Sequence, residues 1–417
     1  MDYEGVCADS PSVESTELVN YCDPNNYVQI GCRFYFVDLA PDALGHLIPT
    51  LVPWQRWQLS QDFKGHSDDL KKIQRFTGLG SYPSHLNYQQ RVRDHYNTYC
   101  PMNWQPSCGD WPNIKMMLQH IFGEQYELGL DYIQLLYMRP KQMLPILVLV
   151  SRERQTGKTT FLNFLKAVFG ANVAFVTNDT MRSKFNSERA GRLIIACDEA
   201  FLNKKEDSER LKALSTAQKT YIEFKGKDRY EIDNFSKIIM CSNNIIDPVY
   251  IDEEEVRYWV RDVPKPPKDY PGLSNAMKKE IPAFLDALLS RQLSVPFALS
   301  RMWFDAKQLR TAALERIVRS CRPTCEIELA EILLEEMDRY NVQRLQYTTN
   351  DLNTLLKARG HSIPDAHRII CKQWRIPHAT NKMSYKLYAP WVEKPPIQQL
   401  GRYYTFTQDF LETLVPN

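Results

Sequence analysis

An α/β fold built on a parallel sheet is predicted by three apolar runs that each stop abruptly at polar or charged residues. They are Leu144–Val150 ahead of Ser151, Leu193–Cys197 ahead of Asp198 and Glu199, and Ile238–Cys241 ahead of Ser242, Asn243 and Asn244. Runs that are apolar throughout, rather than at alternate positions, belong to strands covered on both faces, the usual condition of a parallel sheet. The first run is followed by Ser151–Thr160 and then by the helical segment Phe161–Leu165, so that Gly157, Lys158 and Thr159 fall at a strand-to-helix turn.

That turn is the setting of a phosphate-binding loop. Backbone N–H groups of residues 155–160 and the helix N-terminus would cradle the β and γ phosphates. Lys158 would neutralise their charge and Thr159 would place a hydroxyl on Mg²⁺. The nucleotide contacts are thus assigned to Gln155, Thr156, Gly157, Lys158, Thr159 and Thr160. The motif G-x-x-x-x-G-K-[ST] has glycine at its first position, where this chain has Arg152. The two acids ending the second strand divide the remaining chemistry. Asp198 is assigned to Mg²⁺ beside Thr159, and Glu199 to the attacking water as base. Asn243, at the tip of the third strand, is placed to hold that water or to touch the γ-phosphate.

Between the second and third strands, Thr220–Asp233 alternates apolar and polar residues on both sides of Gly226-Lys227. Glycine at the first central position is a type II′ hairpin signal. Lys225, Lys227 and Arg229 crowd the expected tip with positive charge, a pattern that also serves to discourage edge pairing.

In order and spacing, these elements resemble a superfamily 3 helicase, a compact AAA+ class, over roughly residues 110–290. The residues that carry the resemblance are Thr156-Gly157-Lys158-Thr159, Cys197-Asp198-Glu199, Leu211–Ser215 through Lys225–Asp228, and Cys241–Asn244. More narrowly, the chain looks like the helicase part of phage and mobile-element primase-helicases, whose phosphate loop also tends to lack its first glycine. The resemblance implies a P-loop AAA+ core that hydrolyses ATP with Mg²⁺ and assembles as a hexameric ring. It implies that Lys225, Lys227 and Arg229 grip single-stranded DNA in the pore, with 3′ to 5′ movement. It also implies that an arginine near the fourth core strand reaches the nucleotide of the adjacent subunit. Arg257, which precedes an aromatic, fits this role better than Arg261.

Composition sets the remaining expectations. The 417 residues exceed one typical domain, and 52 basic against 50 acidic residues confine any nucleic-acid affinity to local patches. Mean hydropathy is −0.44, and no apolar run is long enough for a bilayer. The start, Met1-Asp2-Tyr3-Glu4, lacks a secretory pattern, so a cytoplasmic location, in a bacterial host on the resemblance, is expected. Ten cysteines lie scattered without C-x-x-C, so neither structural zinc nor disulfides are expected.

Four regions follow: 1–110, 111–140, 141–298 and 299–417. The first is rich in Pro, Tyr and Trp; Trp54, Trp57, Trp104 and Trp111 are core or interface aromatics before they are base-stacking platforms. Helical periodicity from Pro112 to Tyr137 gives a collar ahead of the core, which in the resembling family mediates ring assembly. Asp252–Glu255 reads as a solvated acidic loop, Pro264–Gly272 as a linker, and 275–295 as one amphipathic helix. The last region reads as a small α+β module in winged-helix order: helices Thr349–Leu356 and Pro364–Arg375, then strands Ser384–Tyr388 and Arg402–Phe406. Between 349 and 402 it holds nine Lys or Arg against three acids, as DNA contact would need, although partner docking fits nearly as well. His361, His367 and His378 lack metal-ligand spacing.

The expected activity is that of an ATP-driven DNA helicase for replication of a phage or mobile element, acting on single-stranded DNA with copies of itself and, on the resemblance, a primase. An AAA+ initiator or loader that melts DNA without processive unwinding, and a non-hydrolysing DNA-binding assembly module, are the rival readings.

Overall fold

The computed structural model describes residues 20–41, 47–183, 186, 188–222, 230–298, 300–360 and 366–415. Lys225, Gly226, Lys227, Arg229 and His361 lie outside the described residues. The chain divides into two compact units, Met1–Gln105 with Lys166–Asn172, and Pro106–Leu165 with Val173–Asn417.

In the first unit, Leu47–Trp54, Arg33–Pro41 and Tyr27–Ile30 form an antiparallel meander, and Gln74–Phe76 adds to it in parallel. Its core is aromatic: Trp54 stacks on Tyr21 and donates its indole N–H to Asp62, 2.8 Å away, which also accepts from the Tyr27 hydroxyl. Trp104 is tied to the Ala167 carbonyl at 2.7 Å. Of the four tryptophans weighed as stacking platforms, Trp57 is the one that stands mostly in solvent, 61% exposed.

The second unit is built on a five-stranded, all-parallel sheet. Its strands are β1 (Ile146–Val150), β2 (Val173–Val176), β3 (Ile194–Cys197), β4 (Lys237–Ser242) and β5 (Tyr258–Asp262). They lie in the order β5-β1-β4-β3-β2. β1, β3 and β4 are buried at every residue, which is why they read as unbroken apolar runs. One face, through Ile146, Val148, Tyr258 and Val260, packs on Leu211 of helix Lys205–Thr216 and on Ala313 and Ile317 of helix Ala312–Ser320. On the other face Trp259 stacks on Phe122 at the end of helix Pro112–Phe122, with a ring separation of 5.2 Å. A second helix, Tyr126–Met138, follows and is buried along most of its length. These two helices occupy the segment read from sequence as a collar.

The chain leaves β1 toward β2 and leaves β4 in the opposite direction, toward β5. Adjacent strands whose connections diverge open a crevice at their carboxyl ends, where α/β sheets bind ligands. That crevice lies between the residues after Val150 and those after Ser242.

The hairpin arms are Lys219–Ile222 and Tyr230–Asp233, paired antiparallel from Lys219↔Asp233 to Ile222↔Tyr230. The amphipathic helix runs from Leu273 to Ser290 and meets the helix Tyr126–Met138, whose Gln134 donates to the Leu288 carbonyl at 2.8 Å. The last module has its own core, from Leu329 to Leu414. It begins with helix Thr324–Tyr340, ahead of the capped helix Thr349–Ala358, where Thr348 and Asp351 form a capping box. Its ribbon differs from the sequence expectation. Met383–Leu387 pairs with Ile397–Gly401, whereas Tyr404–Thr407 pairs with Arg344–Tyr347. Ile397–Gly401 shows no buried residue, so it carries no apolar alternation by which to be recognised.

The acidic loop is corrected in part. Asp252 and Glu255 pair with Lys212, Glu253 with Arg322, and Glu254 with Arg375. Glu253 and Glu254 stand largely in solvent as expected, 63% and 80% exposed, but Lys212, on a helix 40 residues away, draws in Asp252 and the 7%-exposed Glu255, so those two carboxylates form a junction between elements.

Candidate functional site

The carboxyl ends of β1, β3 and β4 bring Lys158, Thr159, Asp198, Glu199 and Asn243 to one edge of the sheet. Helix Lys158–Phe169 begins at the end of the loop, so its free N–H groups face the crevice. The loop's left-handed residues are Gln155, at φ 58°, and Gly157, at φ 89°. Arg152 is not among them, which explains why this position needs no glycine. At Gly157 any side chain would be strained. His120, from the helix ahead of the sheet, donates Nε2–H to the Thr156 carbonyl at 2.9 Å and braces the loop.

Lys158 is 6% exposed, and its Nζ is surrounded by neutral oxygens: Ser151 Oγ, Thr156 Oγ1 at 3.1 Å and Asn243 Oδ1 at 3.0 Å. Burial lowers its pKa, opposed by the nearby Cys241 and Asp198. A buried ammonium with no carboxylate in contact is costly, and a bound anion would relieve that cost. Thr159 donates its hydroxyl to Asp198 Oδ2 at 2.8 Å. The other Asp198 oxygen accepts the Glu199 backbone N–H at 3.1 Å. Glu199 is exposed and takes φ 55°, a left-handed conformation that costs a non-glycine residue about 1 kcal/mol. Its carbonyl is held by Asn178 Nδ2 at 3.1 Å. Two of the five non-glycine residues with positive φ among those described, Gln155 and Glu199, thus stand at this one site. Backbone strain that clusters in this way marks functional positions.

Thr159 and Asp198 offer one hydroxyl and one carboxylate, and no described group of three or more His, Cys, Asp or Glu forms a metal cage. That donor set fits Mg²⁺, which keeps its waters and is shared with phosphate oxygens rather than enclosed by protein. Thr160 follows on the same helical turn.

Beside the loop opens a cavity of about 660 Å³, lined among others by His120, Arg152, Arg261, Lys265 and Arg316. Arg261 is fixed there by a bidentate ion pair with Glu124, with contacts of 2.5 and 3.0 Å. That hydrogen bond from Arg261 holds the Glu124 carboxyl down at about 2. Arg257 lies elsewhere. The Ile146 N–H donates to its carbonyl at 2.8 Å, so it stands at the amino edge of the sheet, opposite the loop. At ~3.3 Å per residue, the strand separates the two edges by roughly 16 Å. Arg257 is therefore out of reach of its own Lys158, while Arg261 is held on the loop's own side.

His120, Ser151, Asn178, Lys212 and Glu255 were not singled out from sequence as site residues. The roles of His120, Asn178, Lys212 and Glu255 come from contacts across tens of residues, for which an isolated side chain carries no local signal, whereas Ser151 meets Thr156 and Lys158 within its own loop.

A family model described as "Family of unknown function (DUF5906)" matches residues 149–258, from the end of β1 to the start of β5. No curated protein matches the chain. Among solved structures, the apo NrS-1 C-terminal region (305-718) superposes with a TM-score of 0.61 at 14% identity, covering 93% of this chain and 100% of that one. Two A-form apo structures of the same region give TM-scores of 0.59 at 15% identity, covering 89% and 90% of this chain and 94% and 95% of theirs. The chain thus shares the fold of the NrS-1 C-terminal region over nearly its whole length. No described helix is long and apolar enough to cross a membrane.

Proposed function

We propose that this chain is an ATP-hydrolysing DNA translocase with a P-loop AAA+ core, working as a superfamily 3-like ring helicase in replication of a phage or mobile element. The single observation that carries the reading is Lys158: a buried ammonium among the neutral oxygens of Ser151, Thr156 and Asn243, at the crevice of the sheet, next to the paired Thr159 and Asp198. The shared fold with the NrS-1 C-terminal region supports it.

Each residue has a separable task in this reading. Backbone N–H groups of Gln155–Thr160 and the helix N-terminus bind the phosphates. Lys158 draws charge from the phosphoryl oxygens as it develops, and Asn243, already on Lys158 Nζ, stands beside the γ position. Thr159 and Asp198 would hold Mg²⁺, which supplies charge neutralisation between phosphates. Glu199, exposed just beyond β3, accepts a proton from the attacking water. The cavity beside the loop accommodates the nucleoside. Arg257 serves the neighbouring subunit's site, and Lys225, Lys227 and Arg229 contact the DNA backbone.

Strand displacement separates this reading from an initiator or loader. Wild-type protein is expected to unwind a duplex carrying a 3′ single-stranded tail when given ATP and Mg²⁺. Glu199→Gln should bind ATP and DNA yet leave the duplex intact. ATP hydrolysis without displacement on either tail polarity would favour the initiator; binding of DNA without hydrolysis would favour an assembly module.

A further inference from the structure

The acidic loop before β5 places two cations on one oxygen. Glu255 Oε2 lies 3.2 Å from Arg257 Nη1 and 3.3 Å from Lys212 Nζ. Its other oxygen accepts the backbone N–H groups of Val256 and Arg257, both at 3.0 Å. Glu255 is 7% exposed and so depends on these partners for its charge, whereas Arg257 is 35% exposed and has a route to solvent. Lys212 has other anchors, Asp252 at 2.5 Å and Glu209 at 3.1 Å. Burial opposes its charge, but the hydrogen bonds it donates to Asp252 and Glu209 and the charge of Glu255 prevail and hold its pKa above the usual lysine range. Lys212 sits on helix Lys205–Thr216, which runs through two residues into the hairpin arm Lys219–Ile222.

We propose that Glu255 is a latch that parks Arg257, and that Lys212, competing for the same carboxylate oxygen, releases it. An arginine whose charge is already satisfied by a carboxylate offers little to a phosphate. When helix Lys205–Thr216 moves Lys212 toward Glu255, Arg257 is freed. When it moves away, the buried carboxylate holds Arg257 alone. Because that helix leads into the hairpin, DNA engaged there sets hydrolysis in the adjacent subunit. This inference rests on the reading of Arg257 as the residue that acts on a neighbour's nucleotide.

The test measures steady-state ATP hydrolysis by the full chain, with and without a single-stranded oligonucleotide. Glu255→Gln keeps the backbone contacts and removes the charge. It is expected to raise the DNA-free rate about fivefold, the factor an ion pair of this exposure is worth, and to shrink DNA stimulation by the same factor, with KM for ATP unchanged. Lys212→Met should lower the stimulated rate by a similar factor, and Lys212→Arg should retain it. The double variant Lys212→Met with Glu255→Gln should behave as Glu255→Gln alone, since without the latch there is nothing for Lys212 to release. Wild-type stimulation in Glu255→Gln, or additive losses in the double variant, would overturn the latch alone. A wild-type protein that hydrolyses no ATP, or an Arg257→Ala protein as active as wild type, would overturn the reading beneath it and the latch together.

Discussion

Lys158→Ala is expected to abolish measurable ATP hydrolysis, a loss on the order of 10³-fold or more, and to yield a protein no less stable than wild type when nucleotide is absent. The two expectations come from one arrangement. Lys158 Nζ touches Ser151, Thr156 and Asn243, none of which carries charge, and burial disfavours its ammonium. Without a bound phosphate the lysine is a cost to the fold, and its removal relieves that cost. With phosphate bound, the same ammonium is worth several kcal/mol at the transition state. Thermal unfolding with and without MgATP separates the two terms. Wild type should gain about 2.7 kcal/mol at a ligand concentration of 100 Kd, and Lys158→Ala should gain nothing. A variant that loses stability without ATP and keeps its ligand-induced shift would make Lys158 a structural residue.

Arg257→Ala is expected to bind ATP normally and lose hydrolysis by about 10³-fold, the usual worth of an arginine acting on a transferring phosphoryl group. Its guanidinium stands at the amino edge of the sheet, a strand's length from its own loop, so the defect must be one of assembly geometry rather than of nucleotide binding. Mixing inactive Arg257→Ala with inactive Lys158→Ala protein should therefore restore part of the activity. At some interfaces an intact Lys158 site will meet an intact Arg257 from its neighbour. Co-purification of differently tagged variants shows whether mixed assemblies form. If they form and remain inactive, Arg257 does not act in trans. Arg261 does not replace it, because its guanidinium is buried against Glu124 beside its own loop.

The candidate site was legible because its chemistry is local in sequence. Gly157-Lys158-Thr159 sits at a strand-to-helix turn, and Asp198, Glu199 and Asn243 terminate strands whose burial on both faces makes them visible as apolar runs. Elements with little buried surface gave no such signal. β2 is four residues long with Phe175 turned to solvent, and Ile397–Gly401 is exposed throughout. Charge pairing was equally hidden. Asp252–Glu255 looks like a solvated run because nothing near it in sequence identifies Lys212, Arg322 and Arg375 as its partners. Arg152 departs from the phosphate-loop motif in a way the sequence could match only by resemblance; the backbone gives the physical reason, since the left-handed positions fall at Gln155 and Gly157.

The most direct test of the central claim is the rate at which purified wild-type protein hydrolyses ATP in Mg²⁺ buffer, measured with and without single-stranded DNA. The account predicts hydrolysis that rises when DNA is added and disappears when Mg²⁺ is chelated. Absence of hydrolysis under all of these conditions, from protein that is folded and assembled, would contradict it.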